Sequence, residues 1–254
     1  MTFTKAVAVV GFKDSGKTRV VEALVGELTG RGYRVGTLKH TAEDVPFDTP
    51  GKDTWRHREA GSEATAIMHG GSAAFFIDRY VAVNDAVAML GGIDFVVLEG
   101  FKSLATVAKL VVPRDQDEAE ALYDGLEITV VDVDGVGLTA GVGVPVVSLD
   151  DAGGIADVVE GRSFPLLSGV DCRGCGYGGC GEMARAILAG EAVVEGCVGY
   201  GSGDVSLRVN GVAVPLGHFV GGVTRSVVLG LVRSFKGVED PRRIELEFEV
   251  GRDE

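Results

Sequence analysis

The chain is short of positive charge, of long apolar runs and of dispersed cysteine, and each shortage closes off a class of function. Its 254 residues carry 24 Lys and Arg against 37 Asp and Glu, a formal net charge of -13. A bulk field of that sign repels phosphate backbones and anionic lipid heads, so a nucleic acid would need a local basic patch. The sequence has no such run, and neither a nucleic-acid nor a membrane partner is expected. No stretch approaches the roughly 18 to 20 apolar residues that span a bilayer. Met1 to Val10 holds a single Lys and passes directly into a short apolar run, without the layout or cleavage site of a secretory leader, so the expected location is the cytoplasm. All four cysteines fall between Cys172 and Cys197. In a reducing compartment such clustering points to metal ligation over disulfides. Internal repeats and low-complexity linkers are absent too, while 39 glycines imply many tight turns.

Apolar residues make up 46% of the chain, enough for one large or two modest cores. Ala6 to Val10 is continuously apolar, as for a strand buried on both faces of a parallel sheet. After a Gly-rich turn, Val21, Leu24, Val25 and Leu28 recur at helical spacing, and Gly30 and Gly32 stop that helix before a strand from Arg34 to Lys39. Further strands are expected at Ala64 to His69, Ala73 to Ile77, Asp94 to Leu98, Lys109 to Val112, Ile128 to Val131 and Val144 to Leu149, with a helix near Val81 to Leu90. Alternating strands and helices predict an α/β fold, a P-loop NTPase-like three-layer sheet over residues 1–163. Composition shifts between Gly161 and Gly169, and a Cys-rich metal domain is expected over 164–202. In residues 203–254, Val205, Leu207 and Val209 alternate with polar residues, Asn210-Gly211 supplies a tight turn, and Val212 to Pro215 returns. Val220, Val223, Val227, Leu231 and Phe235 then share a helical face with Gly237 as stop, and Ile244 to Val250 alternates again, which predicts a ββαβ tail.

Gly11-Phe12-Lys13-Asp14-Ser15-Gly16-Lys17-Thr18 fits the eight-residue phosphate-loop pattern, and it sits where that motif requires, between a buried strand and a helix. The glycines let successive N–H groups curl toward phosphate oxygens while the helix N-terminus adds partial positive charge. Lys17 would reach the β- and γ-phosphates, and Thr18 would offer its hydroxyl to Mg²⁺. The bland reading is a tight turn with a solvated Lys and a capping Thr. A magnesium site also needs a carboxylate from a neighbouring strand, and Glu99 ends the apolar run Phe95 to Leu98 at the side where sheet ligands bind. Asp94 begins that run and is expected at the far edge of the sheet.

Between the second strand and the next helix lie Lys39-His40-Thr41, Asp48 to Thr54 and Trp55-Arg56-His57-Arg58. Asp48 could hold Mg²⁺ through water and Arg56 and Arg58 could bind phosphate as planar forks, or the segment could be a solvated helix start after Thr49-Pro50. His40 and His57 could be packed or exposed without catalytic duty. With the loop Gly11 to Thr18, the run Asp48 to Gly61 and Val97-Leu98-Glu99-Gly100-Phe101-Lys102, residues 4–160 resemble the molybdopterin-guanine dinucleotide biosynthesis protein B family. The resemblance implies a homodimeric GTP-binding adapter, weakly hydrolytic, that assists attachment of GMP to molybdopterin. It implies phosphate contacts from Gly16, Lys17 and Thr18, Mg²⁺ at Thr18 and Glu99, and a substrate or γ-phosphate role for Asp48 to Arg58. The expected nucleotide contacts are therefore Gly11, Asp14, Ser15, Gly16, Lys17, Thr18, Arg19, Lys52 and Arg56, with Lys17, Asp48 and Glu99 as catalytic candidates. No guanine-specificity motif follows Lys102, so GTP over ATP rests on the resemblance alone.

Cys172, Cys175 and Cys180 fall within nine residues, and Cys197 follows a short helical stretch, Glu182 to Leu188. Three ligands around one corner with a remote fourth suit a [4Fe-4S] cube, whereas a zinc ribbon more often shows two paired hooks. Gly174, Gly176, Gly178, Gly179 and Gly181 would allow close backbone approach to sulfur. The stretch is similar to the small four-cysteine iron-sulfur domain of some electron-transfer and corrinoid-pathway subunits; zinc is the alternative. Such a cluster could pass electrons, report redox state to the nucleotide site, or staple the fold. Two functional readings compete with the adapter: an iron-sulfur redox module regulated by the P-loop domain, and a P-loop small-molecule kinase, for which no Arg-rich lid is evident. Molybdopterin or its guanylyltransferase is the expected partner of the adapter.

Overall fold

The computed structural model describes residues 4–198 apart from 44 and 140–142, and beyond them 205, 207–214, 216, 218–238, 241 and 244–248. Its centre is a six-stranded sheet in the order β2-β5-β1-β6-β7-β8. The strands are β1 (Lys5–Val10), β2 (Val35–Lys39), β5 (Phe95–Glu99), β6 (Ala108–Val111), β7 (Glu127–Asp132) and β8 (Val146–Ser148). Every pairing is parallel. The continuous apolar run of β1 follows from this place: it is central, and both of its faces are covered. On one face Val7 and Val9 pack with Val20, Leu24 and Leu28 of α1 (Lys17–Gly30) and with Ile155 and Val159 of α5 (Ala152–Arg162). On the other, Ala6, Ala8 and Val10 pack with Val87 of α3 (Val83–Leu90) and Leu122 of α4 (Gln116–Leu122). This is a three-layer α/β/α arrangement in which each fully buried Val or Leu contributes roughly 1.5–3 kcal/mol.

Two expected strands leave that sheet. β3 (Ala64–His69) and β4 (Ser72–Ile77) pair only with each other, antiparallel, across Gly70-Gly71. A two-residue turn forces antiparallel return, whereas a parallel neighbour needs a crossover of about a dozen residues. Ile67, Met68 and Phe75 are left exposed on this hairpin. A short helix, α2 (Asp53–Glu59), leads into it.

The Cys-bearing stretch is tied to the main sheet. Phe164 bridges Ala6 of β1, and the Leu167 N–H donates to the Thr106 carbonyl at 3.1 Å. Helix α6 (Cys180–Ala189) sends Cys180, Met183 and Ala184 into the same apolar cluster as Val7, Val9 and Leu24. Further along, β9 (Leu207–Val209) and β10 (Val212–Val214) form the expected hairpin, with Asn210 at φ 51 and Gly211 at φ 78, both left-handed as the turn requires. Helix α7 (His218–Arg233) follows, ending before Phe235. The expected closing strand is not formed over 244–248, and residues 249 and 250 lie outside the described residues. Among the described residues β9 and β10, three residues each, pair with each other and with no third strand, and Leu246 and Phe248 stay exposed.

Candidate nucleotide site and cysteine cluster

The loop between β1 and α1 is shaped by its own backbone. Asp14 sits at φ 60 and Gly16 at φ 87, both left-handed. A Cβ on Gly11 would collide with Ser15 Oγ and the Val112 carbonyl, so this turn closes only around glycine. A Cβ on Gly16 would come within 2.8 Å of Val133 Cγ1. No side chain caps α1 and its first turn holds no acid, which leaves the first-turn N–H groups and the positive helix end for an anion. Ser15, 4% exposed, has a hydroxyl without a hydrogen-bond partner, a further unused polar group in the cradle.

Lys17 folds over this loop and donates to the Phe12 carbonyl. Burial pulls its ammonium below the ordinary lysine value; Glu99 opposes that shift, and Lys102 and Lys39 add to it. Lys102 Nζ lies 4.4 Å from the centre of the Phe12 ring. Three lysines thus meet at one end of the sheet in a chain whose net charge is -13. They focus a local positive field that no run in the sequence displays.

Glu99 closes the site from the neighbouring strand. It pairs in register with Val9 of β1 and with Lys39 of β2. Its side chain is 12% exposed, and Oε1 accepts from Thr18 Oγ1 at 2.9 Å and lies 2.8 Å from Lys39 Nζ. Thr18 and Glu99, both expected from the sequence as magnesium ligands, are thus hydrogen-bonded to each other, and Lys39, to which no role was assigned from the sequence, stands with them. A hydroxyl and a carboxylate oxygen at the foot of an anion cradle are groups that could contribute to a magnesium site, whose other ligands would come from phosphates and water. Asp94, at the opposite end of β5, pairs with Arg34 at 3.0 Å, and that guanidinium holds its carboxyl below the usual range.

Of the other expected contacts, Asp14 is exposed within the loop itself, Arg19 on the first turn of α1 faces Asp134 at 3.4 Å, and Lys52 and Arg56, at the start of and within α2, are exposed. Asp48 is joined to α2 and the turn before it: Oδ1 accepts from the Thr49 N–H at 2.7 Å and from Thr54 Oγ1 at 3.1 Å, and Arg58 Nη1 stands 3.8 Å from Oδ2. Oδ2 is buried and makes no hydrogen bond. Arg58 forks onto Asp78, with Nε to Oδ2 at 2.6 Å, and lies 5.2 Å from the Phe76 ring centre. Phe47, Asp48, Trp55, Arg58 and Phe75 line part of a cleft of about 630 Å³. His40 packs against Phe101, ring centres 5.3 Å apart. His57 is exposed.

Of the four cysteines, Cys180 and Cys197 are buried, Cys175 is half-buried against the same apolar cluster, and Cys172 is exposed. Cys172, Cys175 and Cys180 are free thiols. Asp171 and Arg173 sit at φ 46 and φ 58, and Asp171 Oδ1 accepts from the Cys180 N–H at 2.6 Å. Gly174 approaches Val198 and Gly181 approaches Ala105 so closely that a Cβ would come within 2.9 and 3.2 Å. The donor chemistry and the glycine-lined backbone suit a sulfur-ligated cluster. Cys175, Cys180 and Cys197 all pack into or against the same extended apolar cluster; among the described residues, however, no group of three or more His, Cys, Asp or Glu is drawn together around a common point. Sequence reading also missed Lys109, 1% exposed on β6, whose ammonium donates to Asp124 Oδ2 at 2.5 Å and to the Lys102 carbonyl at 2.7 Å. Asp124 in turn accepts through its own carbonyl from Arg185 of α6 at 2.7 Å. The only sign of this link is one Lys in an apolar run. No helix among the described residues is long and apolar enough to cross a membrane.

A parallel α/β/α sheet with a glycine-shaped loop at its central strand, a lysine folded over it and a Thr–Glu pair at its foot defines a protein of the P-loop nucleotide-binding class. Residues 6–133 match the family model described as molybdopterin guanine dinucleotide synthesis protein B, and the chain belongs to that family. Residues 167–198 match a second model, described as "Putative Fe-S cluster". A Methanocaldococcus jannaschii protein named "Putative molybdopterin-guanine dinucleotide biosynthesis adapter protein" is 28% identical over 253 residues, 98% of this chain and 99% of its own length. The Escherichia coli molybdopterin-guanine dinucleotide biosynthesis adapter protein is 28% identical over 169 residues, 62% of this chain and 93% of its own. The crystal structure of Bacillus subtilis MobB superposes with a TM-score of 0.55 at 27% identity, covering 63% of this chain and 98% of that one.

Proposed function

We propose that this chain is an adapter in molybdenum, or tungsten, cofactor guanine dinucleotide biosynthesis that binds GTP with Mg²⁺ at Gly11 to Thr18 and hydrolyses it weakly. The observation that carries the reading is the hydrogen bond of Thr18 Oγ1 to Glu99 Oε1 at 2.9 Å, at the foot of an uncapped helix. In this reading the α1 N-terminus and Lys17 would hold the β- and γ-phosphates, and Thr18 and Glu99 would hold the cation, which would supply charge neutralisation to the phosphates. The choice of GTP, the homodimer, and molybdopterin or its guanylyltransferase as partner are supported by family membership.

The second part of the proposal is that Cys172, Cys175, Cys180 and Cys197 ligate a [4Fe-4S] cluster. The matching model over 167–198 and the packing of three of the four cysteines into or against one apolar cluster support it. Binding such a group would draw Cys172 inward, as metal binding commonly completes its own site. Anaerobic purification followed by iron, sulfide and zinc analysis tests this: about four irons per chain is expected, and stoichiometric zinc without iron would refute it. For the adapter role, pull-down of the guanylyltransferase by the full chain in the presence of Mg·GTP is expected. Equal recovery by Lys17→Ala would separate any such association from the nucleotide.

A further inference from the structure

In the ligand-free chain the Glu99 oxygen on which a cation would depend is already shared with an ammonium. Glu99 Oε1 accepts from Thr18 and lies 2.8 Å from Lys39 Nζ. The pair is built by the sheet. Lys39 and Glu99 are the last residues of adjacent strands β2 and β5 and are directly opposed in their register. The Glu99 side chain is 12% exposed and that of Lys39 is 60% exposed, so the carboxylate is fixed while the ammonium rides on a solvated stem that can swing away. Lys17 is engaged separately, on the Phe12 carbonyl.

We propose that Lys39 is a tethered counter-ion that occupies the cation position beside Thr18 and Glu99 and makes metal binding there conditional on a bound triphosphate. This rests on the Mg–nucleotide reading of the loop. Mg²⁺ demands six oxygens in near-octahedral geometry, and Thr18 and Glu99 supply too few to displace a resident ammonium. A bare cation would also leave Lys39 facing a like charge a few ångströms away. A triphosphate changes both conditions: its oxygens complete the cation's shell, and its charge gives Lys39 another anionic partner. The metal then enters with the nucleotide and not before it, and Lys39 becomes a positioning residue for the phosphate chain.

Mn²⁺ binding to the full-length chain, followed by loss of the free-ion electron paramagnetic resonance signal, tests this without turnover. In nucleotide-free protein, Lys39→Met is expected to tighten Mn²⁺ binding by at least about tenfold, because a unit charge a few ångströms from the site is removed. Lys39→Arg, which keeps the charge, should not. Adding Glu99→Gln to Lys39→Met should abolish the gain, which assigns it to this carboxylate. With a non-hydrolysable GTP analogue present, the advantage of Lys39→Met should vanish. Unchanged Mn²⁺ affinity in Lys39→Met, a gain that survives Glu99→Gln, or a gain of equal size with the analogue bound would each overturn the proposal. Failure of the wild-type chain to bind the analogue overturns the loop reading instead, and the nucleotide-free arm keeps the two failures apart.

Discussion

The loop from Gly11 to Thr18 and the stretch from Cys172 to Cys197 are both rich in glycine and both gather polar ligands, but they reach different states of completion without any ligand. The loop is held by a central strand hydrogen-bonded on both sides, by a collision-free fit that only Gly11 allows, and by a Thr–Glu contact set by strand register. The cysteine stretch leans two buried thiols and one half-buried thiol on the shared core and leaves the fourth outside. Neighbouring strands can preorganise a phosphate site because backbone pairing fixes it to within a fraction of an ångström. A cluster bound by four flexible side chains is completed by the metal itself.

The comparison can be broken at its strongest point by Gly11→Ala. The added methyl meets a backbone carbonyl that cannot retreat, so a loss of about 2 kcal/mol or more in chemical denaturation is expected, together with loss of nucleotide binding. A near-native unfolding midpoint would mean that the loop is not preorganised. Next in size is Asp124→Ala, which strands the buried Lys109 ammonium between loop and cysteine helix. Discounted for the one-third exposure of Asp124, about 2 kcal/mol is expected from urea melts.

The two ends of the cysteine stretch should then part company. Cys180→Ser puts a hydroxyl at a 7% exposed core position and should cost about 1–2 kcal/mol even in the metal-free chain, whereas Cys172→Ser should leave metal-free stability within about 0.5 kcal/mol. Both should forfeit iron loading. Equal melting losses for the two would show that Cys172 is as embedded as Cys180. The smallest effect is set by pH. Arg34 and Arg58 hold Asp94 and Asp78 below the usual carboxylate range. Their contribution is therefore complete above the unfolded-state value and lost only as pH falls through the lower folded-state values. Unfolding midpoints should be flat across neutral pH and decline only in acid, and Asp94→Asn should soften that decline by a barely measurable amount. A decline beginning near neutrality would point to other groups.

The phosphate loop was legible because its pattern is contiguous and its strand and helix flank it directly; Glu99 was legible from its place at the end of an apolar run. Lys39 was not, since its meeting with Glu99 exists only once β2 and β5 are neighbours, two elements 60 residues apart at Lys39 and Glu99. Asp48 was read either as holding Mg²⁺ through water or as part of a helix start, and its hydrogen bonds run to Thr49 and Thr54 at the start of α2, a local contact that residue type alone does not reveal. That hairpin was read as part of the alternating α/β pattern because single strands carry no mark of which sheet they join; the Gly70-Gly71 turn was the available clue. The alternation at Ile244 to Val250 records a strand's side-chain pattern, but the pattern does not supply a partner edge.

The central claim is most directly tested by titrating the purified chain with GTP by calorimetry, with and without Mg²⁺, beside Lys17→Ala. Saturable binding at one site per chain that strengthens with Mg²⁺ and weakens by at least about tenfold in Lys17→Ala is the result expected from a charge-assisted phosphate contact. GTP affinity indifferent to both the metal and Lys17 would contradict the account.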